Sequence, residues 1–153
     1  MKSLLITCIF LSGVVARAAP VAVSGGVAKA ENVGPLSLLQ VQKSLVNTSN
    51  KTERLTMKFG DKNGAPLIVP GFFHMAVDED GRRLILDLSQ VQQTSVDKAD
   101  LRAMLKQSEL IRDVEITMDP VDKSTNITFL MKRPVVAKAT AIGNLIIDLQ
   151  EAK

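Results

Sequence analysis

The sequence predicts an all-β fold: a small β-sandwich of two related antiparallel sheets, with one short helix between the halves. Three observations predict it. Apolar and polar residues alternate through most of the chain, turns bearing Gly, Asn and Asp recur at short spacing, and the order of strands repeats from the first half to the second. The chain has 153 residues, 46% hydrophobic and 23% charged, which suffices for one core without metal or disulfide staples. One histidine, one cysteine and no tryptophan or tyrosine leave little material for clustered zinc ligands, Cys/His catalysis or an aromatic stacking platform.

Residues 1–18 read as a cleavable signal peptide. Lys2 precedes an apolar run at 4–15 (LLITCIFLSGVV) that is too short for a permanent membrane span. Ala16-Arg17-Ala18 then places small residues where a signal peptidase inspects them. The expected cut lies between Ala18 and Ala19, because a cut after Ala19 would put Pro20 immediately behind it. Cys8 follows Thr7 rather than a small Gly or Ala, so it reads as a leader residue and not a lipid attachment point. Removing Lys2 and Arg17 takes 19 basic side chains to 17 against 16 acidic, so a formal +3 becomes +1. A nearly neutral chain has no electrostatic footprint for nucleic acid. Free of cysteine and of any further long apolar run, the mature chain is expected in a bacterial periplasm, with no transmembrane segment. Sequons at Asn47, Asn50 and Asn126 carry weight only in a eukaryotic secretory pathway.

Residues 19–35 (APVAVSGGVAKAENVGP) are rich in small residues and read as a flexible tether, leaving 36–153 for the domain. Leu39 and Val41 alternate with Gln40 and Gln42 before a polar turn at 47–52. Leu55, Met57 and Phe59 then point one way and Arg54, Thr56 and Lys58 the other, up to a turn at 61–64. The stretch 66–71 reads as a loop or edge piece. Strands at 72–77 and 83–88 are joined across Asp78-Glu79-Asp80-Gly81, where Gly81, like Gly64 in the earlier turn, supplies positive φ. Asp97 is a good N-cap for a helix at 98–107 with Leu101, Met104 and Leu105 on one face. Strands resume with Val114, Ile116 and Met118, turn at 119–125, and continue with Ile127, Phe129 and Met131 up to Lys132-Arg133-Pro134. A last hairpin joins 135–142 to 145–149 across Gly143-Asn144.

The halves match strand for strand. Residues 83–88 (RLILDL) correspond to 144–149 (NLIIDL) with Asp87 and Asp148 in step, and 54–59 correspond to 126–131. The offsets differ by 11 residues, which places an insertion in the first half around 66–71. Such a repeat suggests two related sheets packed face to face, neither able to cover its apolar face alone.

These residues resemble the AMIN domain, a periplasmic localisation module of N-acetylmuramoyl-alanine amidases and type IV pilus secretins. The resemblance rests on 54–59 (RLTMKF), Gly71-Phe72-Phe73 leading to 83–91 (RLILDLSQV), 111–118 (IRDVEITM) and 144–149 (NLIIDL), and covers about 36–150. It is nearest to the secretin version, although the helix at 98–107 is longer than the linker expected there. The resemblance implies a non-enzymatic sandwich that binds peptidoglycan and localises to the cell envelope. The alternative is an accessory subunit that docks a secretin, pilus or other envelope secretion complex. Amidase chemistry belongs to a separate domain in that family.

The best candidates for contacting an anionic wall polymer are Arg82, Arg83, Lys132 and Arg133, whose cationic groups suit peptide-stem carboxylates. Phe72 and Phe73 are adjacent on a strand, so at most one faces the core and the other is expected as a partner contact. His74 stands without partners at catalytic or metal-binding spacing and reads as an ordinary strand residue. The acidic turns at 61–64 and 78–81 lack the later glutamate of a calcium loop, so neither a metal nor another cofactor is expected. Asp87 and Asp148 read as solubilising charge on the exposed faces of the sheets.

Overall fold

The structure is a computed structural model that describes residues 26–27, 34–47, 51–67 and 71–153. The expected leader, its cleavage site at Ala18 and Ala19, and most of the tether lie outside the described residues. Among the described residues the chain forms strands β1 (Gly26–Val27), β2 (Leu36–Asn47), β3 (Thr52–Asp61), β4 (Pro66–Leu67), β5 (Phe72–Val77), β6 (Arg83–Leu88) and β7 (Val91–Thr94). Helix α1 (Lys98–Leu105) follows, and then β8 (Ile111–Met118), β9 (Thr125–Met131), β10 (Val135–Ile142) and β11 (Asn144–Glu151). No described helix is long and apolar enough to cross a membrane.

The strands make two sheets, so the all-β sandwich is the fold. One sheet has the order β1-β5-β6-β9-β8, and the other β10-β11-β3-β2-β7 with β4 beside β3. The halves are not one sheet each. Each half contributes one hairpin to each sheet, β2–β3 and β5–β6 from the first, β8–β9 and β10–β11 from the second. The hairpins are joined across the halves by β3–β11 in one sheet and β6–β9 in the other.

The two joints share one register. Arg54 faces Asp148, Leu55 faces Ile147 and Met57 faces Leu145; at the equivalent places Asn126 faces Asp87, Ile127 faces Leu86 and Phe129 faces Leu84. Even the irregularities repeat. The β2–β3 ladder slips between Leu38 and Gln40, and the β8–β9 ladder slips at the corresponding point, between Ile111 and Asp113. Leu39 and Arg112 are therefore equivalent bulge residues. A bulge re-aims the side chain it displaces, which corrects the expected alternation in β2: Leu36, Leu38 and Val41 are buried, whereas Leu39 is only half-buried.

Both inner faces feed one core. Leu55, Met57, Phe59, Leu145 and Ile147 from one sheet belong to the same buried cluster as Leu84, Leu86, Ile127 and Phe129 from the other. Helix α1 closes one side with Leu101 and Leu105, which are buried, and Met104, which is half-buried. The Asp97 carboxylate caps it by accepting from the N–H groups of Ala99 and Asp100 at 2.7 and 3.1 Å. The helix ends at Leu105, two residues short of the expected 107.

Two elements were not expected. Val91–Thr94 leaves the β6 hairpin to run parallel to the start of β2, the one parallel pairing among the described strands. Gly26–Val27, within the expected tether, pairs with Phe73 and Phe72 on β5.

Carboxylates of two turns and of the irregular start of β8 are held by nearby backbone donors. Backbone N–H groups of Ala65 and Asn63 hold Asp61 below the usual carboxylate range, those of Asp122 and Val121 do the same for Asp119, and that of Val114 for Asp113. A depressed folded pKa gives stability that is fully present above the unfolded value and lost as pH falls through the folded one. The urea midpoint is accordingly expected to fall on acidification below about pH 4.5, and an Asp61→Asn, Asp119→Asn double variant to show a shallower acid limb. In the core, Phe129→Ala should cost about 3–5 kcal/mol in urea unfolding, while Ile85→Ala on the outer face of the same sheet should cost about 1 kcal/mol or less. Equal losses at the two positions would contradict the assignment of inner and outer faces.

Candidate functional site

The two basic pairs picked out by the sequence converge at one end of the sandwich. The β5–β6 turn folds over Asp78, whose carbonyl accepts from the Gly81 N–H at 2.9 Å. Its Oδ1 accepts from the N–H groups of Arg82 and Arg83 at 2.7 and 3.0 Å. Gly81 has a φ of +67°, and a Cβ there would sit 3.1 Å from Pro134, so the turn lies directly on the link between β9 and β10. Backbone bonds seal that contact. Met131 N–H donates to the Arg82 carbonyl at 2.8 Å and Val135 N–H to that of Gly81 at 2.9 Å.

Their surroundings separate the four residues. Lys132 Nζ donates to the Ser108 carbonyl at 2.5 Å, and Arg133 pairs with Glu151 at 2.9 Å. Both cations are thus engaged in holding their own chain. Arg83 approaches Asp78 only at 3.8 Å, and the Arg82 guanidinium has no partner among the described residues. Arg112, which sequence reasoning passed over, joins them as the bulge residue of β8, likewise without a partner among the described residues. Arg82, Arg83 and Arg112 ring a depression of about 210 Å³ with Leu130 and Met131 in its floor and Asp78 and Asp80 on its wall. Three guanidinia against two carboxylates, one of them occupied by the turn, make a concave patch suited to an anion that accepts forked hydrogen bonds.

Lys132 belongs to a buried junction that the sequence did not disclose. Glu53, 2% exposed, accepts from the Ser108 hydroxyl and, at 2.7 Å, from the Glu109 N–H. Ser108 Oγ in turn accepts from the N–H groups of Leu110 and Ile111. A buried carboxylate is tolerable because its oxygens are satisfied. This cluster fastens the segment after α1 to the opposite sheet, and so sets where β8 and Arg112 begin.

The phenylalanines divide as adjacency on a strand requires: Phe73 is 7% exposed in the core and Phe72 is 49% exposed on the outer face. His74 lies outward on β5 opposite Asp87. Among the described residues no three His, Cys, Asp or Glu side chains gather as a metal-holding group. Asp148 is not merely solubilising, since Arg54 grips it with two bonds of 2.6 and 2.8 Å. Its repeat equivalent Asp87 faces Asn126 instead, and its Oδ1 is shielded from solvent without a partner.

Comparison with protein-family models, curated proteins and solved structures finds no match to this chain. What the fold defines is a two-sheet β-sandwich with an internal repeat, carrying an arginine-lined depression at one end.

The arginines depend on the turn that presents them. Asp78→Ala should lower stability by about 1–2 kcal/mol, with Asp78→Asn losing less because an acceptor remains. An unchanged melting temperature in the alanine variant would show that the carboxylate does not organise the turn.

Proposed function

We propose that this chain is a non-enzymatic AMIN-like module, exported to the periplasm by a cleavable signal peptide, that binds peptidoglycan and so localises to the cell envelope. The observation that carries the reading is the arginine-lined depression, in which Arg82 and Arg112 have guanidinia without partners among the described residues. Peptide stems of the wall present carboxylates at regular spacing, and guanidinium forks match them. Support also comes from the strand phrases that resemble the AMIN domain and from the repeat that arranges them in equivalent registers. Arg82, Arg83 and Arg112 are the contact residues in this reading. Lys132 and Arg133, already engaged with Ser108 and Glu151, lie at its margin.

The alternative reading, an accessory subunit docking a secretin, pilus or other envelope complex, is favoured by the exposed ring of Phe72. The two readings differ in what they retain. Insoluble sacculi should sediment the purified chain at low salt, and about 0.5 M salt should release most of it because the contacts are ionic. Changing Arg82, Arg83 and Arg112 together to Ala should reduce sedimentation about tenfold, whereas Lys132→Ala with Arg133→Ala should leave most of it. A wild-type chain that stays in solution with sacculi, or a triple variant that sediments as well as wild type, would reject wall binding through this depression.

A further inference from the structure

The bulge position filled by Arg112 in the second half is filled by Leu39 in the first. Leu39 too lines a depression, of about 350 Å³, between β2 and α1. Its apolar lining is Leu39, Val41, Val96, Leu101 and Met104. Asp97 and Asp100 are the charged groups of the wall, and no Lys or Arg lines it among the described residues. Equivalent positions of the repeat thus carry opposite chemistry, cationic at Arg112 and apolar with an acidic rim at Leu39.

The backbone beside this groove is open. Strand β7 pairs with β2 only at Leu36, Ser37 and Leu38, and then Ser95 N–H makes a last bond to the Leu38 carbonyl before the chain turns away into α1. From Leu39 to Val46 that side of β2 has no strand partner among the described residues. Exposed edges are usually blunted by charge, proline, shortness or bulges; the bulges of this edge, Leu39 and Val46, stand at its two ends and leave 40–45 in continuous register. This one contains no proline. Its single charge is Lys43, whose ammonium lies toward the buried Glu53 at 3.9 Å. Leu45, 54% exposed, follows Val41 on the same face of the strand, and Val46, 48% exposed, is displaced by a second register slip between Leu45 and Asn47. The edge at β8 is different, with Arg102 of α1 clasping Asp113 at 2.8 Å beside the bulge.

We infer that the open edge of β2 and the groove beside α1 together take an extended segment of a partner protein as an added strand, with an apolar side chain in the groove and a neighbouring Lys or Arg against Asp97 and Asp100. An unpaired strand edge selects an extended backbone, and pockets for alternate side chains select its sequence. The acidic rim selects a basic neighbour. This inference is independent of the arginine-lined depression and gives the docking alternative a definite surface.

The test titrates the purified chain with a labelled, acetylated hexapeptide of alternating valine and lysine, its valine–glutamate counterpart, and a valine–lysine version N-methylated on alternate backbone nitrogens. Binding is read by fluorescence anisotropy and the site by amide hydrogen exchange. The lysine peptide should bind and slow exchange at 40–46, with the glutamate peptide about fivefold weaker and the N-methylated peptide about tenfold weaker. Asp100 is exposed, so Asp100→Lys should fold normally and should reverse the preference between the two charged peptides. Indifference to peptide charge, protection confined to other strands, or no binding at all would overturn the inference. Self-association of the chain alone with protection of the same amides would also overturn it, assigning the edge to a second copy.

Discussion

Everything in this fold rests on two strand pairings that are remote in sequence, β3 with β11 and β6 with β9. Each half supplies two hairpins, and the two hairpins of a half belong to different sheets. Without the cross-half joints, the second half is left with two separate two-stranded ribbons, β8–β9 and β10–β11, which are marginal in water, and the first-half hairpins keep only the short strands β1, β4 and β7 beside them. The inner faces are bound to the same condition. Leu55, Met57 and Phe59 are covered only when Leu84, Leu86, Ile127 and Phe129 are in place opposite them. Neither half is therefore a folding unit, and the loop-closure entropy of both joints is lost before the shared core repays it.

That constraint explains which parts of the fold could be read from the sequence. Period-two alternation identifies the face of a strand, so the inward stripes of β3, β6, β9 and β11 were legible, as were the Asp97 cap and the turns at Gly64 and Gly81. Alternation does not name the neighbour. The exchange of hairpins between sheets is a matter of which ribbon meets which, and two similar halves offer equivalent apolar faces to either partner. Strand β7 was missed because Val-Gln-Gln-Thr has one buried residue and no alternation to announce it. The bulges were missed for a related reason. A single displaced residue breaks the period without replacing it by another, and in β2 it made Leu39 look like a core position.

The candidate site shows the same division. Arg82 and Arg83 follow a turn whose chemistry is local, so their exposure could be anticipated from the acidic residues and glycine before them. The engagement of Lys132 and Arg133 could not, because their partners Ser108 and Glu151 come from other elements and are brought near only by the folded ladder. Arg112 needed the alignment of the two bulges to be recognised at all.

A repeat of this kind leaves few positions free to acquire chemistry. Inward residues are bound to the shared core, and outward residues at the joints meet a cross-strand neighbour, as Arg54 meets Asp148. Where the neighbour changes without compensation, as at Asp87 opposite Asn126, a carboxylate oxygen is left shielded and unpaired, and such a group carries a desolvation penalty. A bulge residue escapes both restrictions. It is left out of the ladder and out of the inward stripe, so its side chain can change at little cost to pairing or packing. Leu39 and Arg112 occupy that position in the two halves, one beside an acidic-rimmed apolar groove and the other among arginines. The repeated backbone thus provides two equivalent places for function, and their opposite character follows from the freedom the bulge confers.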